Sequence, residues 1–247
     1  MEKPVLTIDT ASPYCSVALH DGVSSPLSEV SEGEGNHFEQ LSRLVTTLLS
    51  KASISMTEVG AIGVGVGPGS FTGIRIGMSF AKGAAWANEL PLVGFCSLAA
   101  CGAYALSQSQ QECRVAVISD AGRDELFLGI FGRSSKEGEA SSSVPITTIF
   151  HPAIVPRKDL PNHLNGALMV ASPQEALLYS SPLNEVLPKS VSLVSVREPA
   201  VGAIGVADFG AAALKKGGLG AIQLEPVYLR QVAAKTIAER LAEAGGK

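Results

Sequence analysis

Asp9 ends an expected strand in the run Thr7-Ile8-Asp9-Thr10. A carboxylate at the carboxyl end of a strand, beside a cleft, is where α/β proteins place metal or nucleotide chemistry. The same residue can equally cap or bridge the turn that follows. Ala11 and Ser12 occupy that turn, where a phosphate-binding turn would carry glycine. A second grouping is Gly65-Val66-Gly67-Pro68-Gly69-Ser70-Phe71-Thr72-Gly73, between an expected strand and an expected helix. Its free N–H groups and the positive helix terminus could hold an anion. It is no Walker A loop, because no Gly-Lys-Ser/Thr follows, and it lacks the acid ~20 residues on that a dinucleotide fold requires. Glycines in this pattern also allow a tight strand-to-helix turn with close packing. Asp9, Gly67, Gly69 and Ser70 form the candidate nucleotide site, a vestigial one.

The helix after this loop carries Gly73, Gly77, Ala81, Ala84 and Ala85 at intervals of three to four, flanked by Ile74, Ile76, Met78, Phe80 and Trp86. Such a stripe fits either a core helix covered on two sides or a face that meets a partner. No Ser/His/Asp or Cys/His triad has a local signature: Ser16, Ser70 and Ser97 lack a Gly-x-Ser-x-Gly frame. Asp120, Arg123, Asp124 and Glu125 follow a strand and read as a solvated turn, with a cleft wall as the alternative. Cys15, Cys96, Cys101 and Cys113 form no C-x-x-C pair and read as buried, reduced thiols. His20, His37, His151 and His163 offer no pair on one helical face, so no metal site is expected.

The elements that must position these residues are marked by period and punctuation. Val5–Thr10, Tyr14–His20 and a stretch within Ser24–Val30 read as strands. Asn36, answered by Glu39, starts a helix with Leu41, Leu44, Val45, Leu48 and Leu49 at helical spacing. Ala61–Val66 is a strand, Thr72–Ala87 a helix, Leu92–Phe95 a strand, and a helix capped by Ser97 runs to about Ser107. After residue 113 the pattern begins again with strands at Arg114–Ser119, Glu125–Phe131 and Pro145–Phe150, around a turn at Asp120–Arg123. A polar loop at Gly132–Ser143, a short strand at Ala167–Val170, and helices at Val201–Lys216 and Thr236–Ala244 complete the reading. The order β-β-β-α-β-α-β-α followed by a shorter repeat implies two similar lobes.

Composition bounds the class. In 247 residues, 46% are apolar and 17% charged, with a net charge of −4, which excludes disorder and a basic nucleic-acid footprint. The longest apolar stretch, Leu90–Leu106, is 17 residues long and broken by Pro91, Gly94 and Gly102, short of the ~20 of a spanning helix. With no secretory signal at Met1-Glu2-Lys3-Pro4, a cytoplasmic chain with no membrane association is expected.

The stretches IDTASPYCSVALHDG (Ile8–Gly22), HFEQLSRLVTTLL (His37–Leu49), AIGVGVGPGSFTGIRIGMSFAKGAAW (Ala61–Trp86) and PLVGFCSL (Pro91–Leu98) together resemble the TsaB (YeaZ) family. Asp120–Phe127 looks like the family's D-A-R-R-x-E element, and Pro226–Arg230 like its P-x-Y-L-R signature. The resemblance implies an α/β, actin-like, sugar-kinase-type (ASKHA) fold of two ribonuclease-H-like lobes, the second reduced. The corresponding domains are 1–108, 109–222 and a C-terminal segment 223–247 packing back on the lobes or partly frayed.

The resemblance also implies a partner subunit of a TsaD-type catalytic subunit, with a TsaE-type ATPase in the larger complex. That machinery forms N6-threonylcarbamoyladenosine beside the anticodon of ANN-reading tRNAs. The tRNA would be met only through the complex, and a homodimer is expected when the chain is isolated. TsaD-like proteins carry two metal-binding histidines four apart, and Ser97 and Cys101 stand in their places here. The expectation is therefore a non-enzymatic subunit without cofactor, docking through His37, Leu41, Leu44, Ile74, Gly77, Met78, Ala81 and Ala84.

Overall fold

A computed structural model describes residues 3–21, 25–31, 36–109, 114–133, 146–164, 166–167, 169–178, 183, 185, 187–189, 191–198 and 223–230. The expected helices at Val201–Lys216 and Thr236–Ala244, Cys113, and nearly all of the polar loop at Gly132–Ser143 lie outside those residues.

The first lobe is built on β1 (Val5–Asp9), β2 (Ser16–His20), β3 (Leu27–Val30), α1 (His37–Lys51), β4 (Ala61–Gly65), α2 (Phe71–Ala87) and β5 (Leu92–Phe95). Its sheet runs β3-β2-β1-β4-β5. β1 is antiparallel to β2 and parallel to β4, and β4 is parallel to β5. α3 (Ser97–Ser107) leads to the second sheet. That sheet comprises β6 (Arg114–Gly122), β7 (Glu125–Arg133), β8 (Ile146–Pro156), β9 (Met169–Ser172) and β10 (Ser192–Ser195), with α4 (Leu160–His163) and α5 (Glu175–Leu178). Its order is β10-β9-β6-β7-β8. β6 is antiparallel to β7 and parallel to β9, and β9 is parallel to β10. Order and direction repeat strand for strand, so the molecule is two ribonuclease-H-like lobes. The second keeps its full sheet, and the helices described within it are single turns.

Strand period explains the cores. On β1, Leu6 and Ile8 face α1 and α2 across a core that includes Leu41, Leu48, Ile62, Val64 and Ile74, while Thr7 and Asp9 point to the opposite face. The second sheet is apolar on both faces. Ala116, Ile118, Leu126 and Leu128 line one core, and the alternating Val115, Val117, Phe127 and Phe131 line the other with α3. α3 thus covers the second sheet, although it follows β5 directly. Gly102 permits this contact: a Cβ there would lie 2.8 Å from the Phe131 ring.

Two local expectations change. Ser97 is the first residue of α3, not its cap; Cys96 holds the cap position, because the Ser97 side chain is turned toward Asp9. Asn36 does precede α1, but in a left-handed conformation and without a side-chain bond to the helix backbone. Its amide donates instead to the Glu39 carboxylate at 2.5 Å.

Candidate functional site

Asp9 is fully buried where β1 meets the cleft between the lobes. Its Oδ1 accepts the Ala11 N–H at 2.8 Å. Burial pushes its carboxyl up to about 6, opposed by the Ala11 N–H and then by the neighbouring Ser97 hydroxyl. Glycine at 65 makes room for the pair, since a Cβ there would lie 2.5 Å from Asp9 Oδ2 and 2.8 Å from Ser97 Oγ. Cys15 is pushed up to about 12, by burial first and the field of Asp9 second. Burial likewise raises Cys96 and, further, Cys101. A serine hydroxyl and one thiol cannot take the place of two neutral imidazoles at a catalytic metal. Ser97 and Cys101 do not fit a catalytic metal.

The loop after β4 is closed against the turn after β1. Ser70 N–H donates to Ala11 O at 2.7 Å, and Ser70 Oγ caps α2 by accepting the Gly73 N–H at 3.1 Å. A Cβ at Gly69 would lie 2.2 Å from Ala11 O, and one at Gly73 would lie 2.0 Å from Thr10 O. Gly67 has φ +98°, a conformation that favours glycine. These glycines serve backbone-to-backbone packing, and the capping serine is already engaged. Asp9, Gly67, Gly69 and Ser70 are neighbours, but they do not form a phosphate cradle.

The expected docking residues are not on the surface. Leu41, Leu44, Ile74, Met78 and Ala81 are at most 5% exposed and belong to the first core. His37 is buried with Nε2 paired to Ser12 O at 2.9 Å. Ala84 packs half-buried on that core. At Gly77, the approaching group is Thr10, whose Oγ1 would lie 2.2 Å from an added Cβ and donates to Gly73 O at 2.7 Å. At Gly73 and Gly77 the small-residue stripe therefore receives the chain's own turn.

The opposite faces of the same two helices are open. Phe38 is 78% exposed and Phe71 47%. With Ser42, Arg75, Ile76 and Phe80 they border a groove of about 840 Å³ between α1 and α2. The Arg75 guanidinium lies 3.8 Å over the Phe71 ring and its Nε–H donates to the Tyr228 hydroxyl at 2.9 Å. Phe71 and Tyr228 stack with centroids 5.0 Å apart. Phe71, Arg75 and Ser79, one helical turn apart along α2, are the sequence signal for this outer face.

Asp120, Ala121 and Arg123 of the β6–β7 turn line an interlobe cleft of about 540 Å³, opposite Pro68 to Phe71 and beside residues 227–230. Arg123 and Asp124 are both left-handed, as a two-residue hairpin turn of mirror-image type requires. Arg157 anchors the turn, 3.6 Å from Asp120 and 3.3 Å from Asp124. The turn is thus both solvated and a cleft wall. Among the described residues no cluster of three or more His, Cys, Asp or Glu could hold a metal, and no helix is long and apolar enough to cross a membrane.

Comparison with known proteins adds relatives. The family model for TsaD, tRNA N6-adenosine threonylcarbamoyltransferase, matches residues 31–181. The tRNA threonylcarbamoyladenosine biosynthesis protein TsaB of Escherichia coli is 35% identical over 60% of this chain and 64% of its own length. That of Haemophilus influenzae is 32% identical over 50% of this chain and 52% of its own. The chain therefore spans less than two thirds of these curated relatives. Among solved structures, a Pseudomonas aeruginosa protein described as similar to the peptidase YeaZ superposes with a TM-score of 0.71 at 30% identity, covering 92% of this chain and 99% of the other. YeaZ from the same organism gives 0.70 at 28% identity, with the same coverage.

Proposed function

This chain belongs to the TsaB (YeaZ) family, and on that premise we propose that it is a non-catalytic subunit in tRNA threonylcarbamoyladenosine biosynthesis. Its role is to bind and stabilise a TsaD-type catalytic subunit, with a TsaE-type ATPase joining the larger complex. The observation that carries this reading is the open face of α1 and α2. Two aromatic rings, Phe38 and Phe71, are exposed there beside the half-buried Ile76 and Phe80, a clustering that marks a surface awaiting a partner. Arg75, stacked on Phe71, adds the amphipathic cation typical of interface centres. Chemistry on the tRNA is left to the partner, because Ser97 and Cys101 cannot hold the metal that the histidine pair of TsaD-like proteins holds. In isolation the same face pairs with itself as a symmetric homodimer.

The test uses the outward residues. Phe38→Glu and Ser79→Glu, alone and together, are expected to abolish co-purification with the TsaD-type subunit. They should leave the thermal midpoint of the isolated chain unchanged. Modification of tRNA by the reconstituted subunits should fall in parallel. Undiminished co-purification by the double variant would remove this face from the proposal.

A further inference from the structure

Arg75 stands on the outer face of α2 in a fixed pose but without a counter-charge. Its guanidinium lies 3.8 Å over the Phe71 ring and 5.8 Å from the Tyr228 ring. Its Nε–H donates to the Tyr228 hydroxyl at 2.9 Å, and the two rings brace each other. The Nη–H donors have no partner among the described residues, and no carboxylate there forms an ion pair with the group. α2 itself carries no acidic residue. The groove beside it holds one carboxylate, Glu39 of α1, which is taken by the Asn36 amide. We propose that Arg75 is the receptor for a single carboxylate, an aspartate or glutamate side chain of the partner subunit that docks on this face.

This rests on the docking role proposed for α1 and α2, and it follows from desolvation. On the open face, water satisfies the free donors at little cost. A partner that covers Phe71 and Ile76 strips that water away. A guanidinium buried without an anion is heavily penalised, whereas one paired in good geometry is not. The docked surface therefore has to bring a negative group to Arg75. The planar end of the guanidinium matches the two oxygens of a carboxylate. Its pose on Phe71 and Tyr228 is set in advance, so less side-chain freedom is lost on docking. A phosphate backbone suits the face less well. Phe38, Ile76 and Phe80 are apolar, Glu39 repels a polyanion, and the chain carries a net charge of −4.

The experiment uses the full chain in complex with the TsaD-type subunit. Arg75→Lys keeps the charge and supplies an amine, which a carbodiimide joins as an amide to a carboxylate in contact with it, the reagent taking up the water. The expected product is a peptide spanning position 75 coupled to one aspartate or glutamate of the TsaD-type subunit. No coupling at this position, or coupling to Glu39 of a second copy, overturns the proposal. Affinity is the second readout. Arg75→Gln is expected to weaken the complex at least about 30-fold, because the partner's carboxylate is left buried and unpaired. Arg75→Lys should weaken it less, since only the fork is lost. Tyr228→Phe loses the brace and keeps the Nη–H donors, so its effect should be smaller than that of Arg75→Gln. An equal loss in Tyr228→Phe would make Arg75 a brace for residues 227–230 and overturn the carboxylate. If Phe38→Glu and Ser79→Glu abolish docking while Arg75→Gln leaves affinity unchanged, the carboxylate fails and the docking face stands. If none of these variants weakens the complex, the docking face itself fails.

Discussion

Burial of a carboxyl group without a counter-charge leaves a mark on stability that can be read as a function of pH. Asp9 is raised from an ordinary 3.8 to about 6, so the folded chain binds its proton more tightly than the unfolded chain does. The sign follows: the group favours folding below pH 4, and that contribution is lost as pH rises through 6. A rise of this size corresponds to about 3 kcal/mol against the folded state at pH 7.5. Asp9→Asn keeps the acceptor for the Ala11 N–H and removes the charge. The variant is expected to be more stable than the parent at pH 7.5, by up to about 3 kcal/mol, and close to it at pH 4. Denaturant midpoints at the two pH values check this. A variant less stable than its parent at pH 7.5 would show that the ionised carboxylate is stabilised by its surroundings.

On α2, the glycines at 77 and 83 have opposite duties. Alanine in a helix is worth about 1 kcal/mol over glycine when nothing obstructs it. At Gly83 a Cβ meets nothing within 4 Å, whereas at Gly77 it meets Thr10 Oγ1 at 2.2 Å. Gly83→Ala is therefore expected to raise stability by about 0.5–1 kcal/mol. Gly77→Ala is expected to lower it by about 1–3 kcal/mol, since overpacking displaces Thr10 and its bond to Gly73. Chemical denaturation of the pair separates the two. A stabilised Gly77→Ala would mean that the turn after β1 yields easily. The same contrast marks the boundary of what is legible in the sequence. Strand alternation and helical period expose β1 to β5, α1 to α3 and the repeat, because those signals are local. The Gly/Ala stripe on α2 announces a close approach but not its source, and Thr10 lies 63 residues from its partner Gly73. Sequence pattern therefore picks out α1 and α2, but the residues that it names lie on their core side. Ser97 reads as a cap in the sequence for the same reason: its competing neighbour, Asp9, is distant along the chain.

Across the whole molecule, the lobes are fastened by chain that leaves one and packs on the other. α3 does so from the first lobe. Arg197 and Glu198, beyond β10, return to the first, with Arg197 4.8 Å over the Tyr14 ring and Glu198 accepting from Ser28 Oγ at 2.5 Å. Residues 223–230 touch both. Leu224 enters the first core beside Gly94, Val227 N–H donates to Val66 O at 2.8 Å, and Arg230 bonds Glu125 at 2.5 Å and Ala121 O at 2.9 Å in the second lobe. Magnitudes decide which contact matters more. Arg230 and Glu125 are 34% and 32% exposed, so solvent screens the pair and Arg230→Ala should cost about 1 kcal/mol. Leu224 is 8% exposed, and truncating a buried leucine to alanine costs about 2–5 kcal/mol. Leu224→Ala is accordingly expected to lower the denaturant midpoint more than Arg230→Ala. It should also speed hydrogen exchange at the Val227 amide, which Arg230→Ala should leave nearly protected. The reverse ranking would mean that the segment is held at its charged end and that the lobes are joined by the ion pair rather than by the apolar anchor.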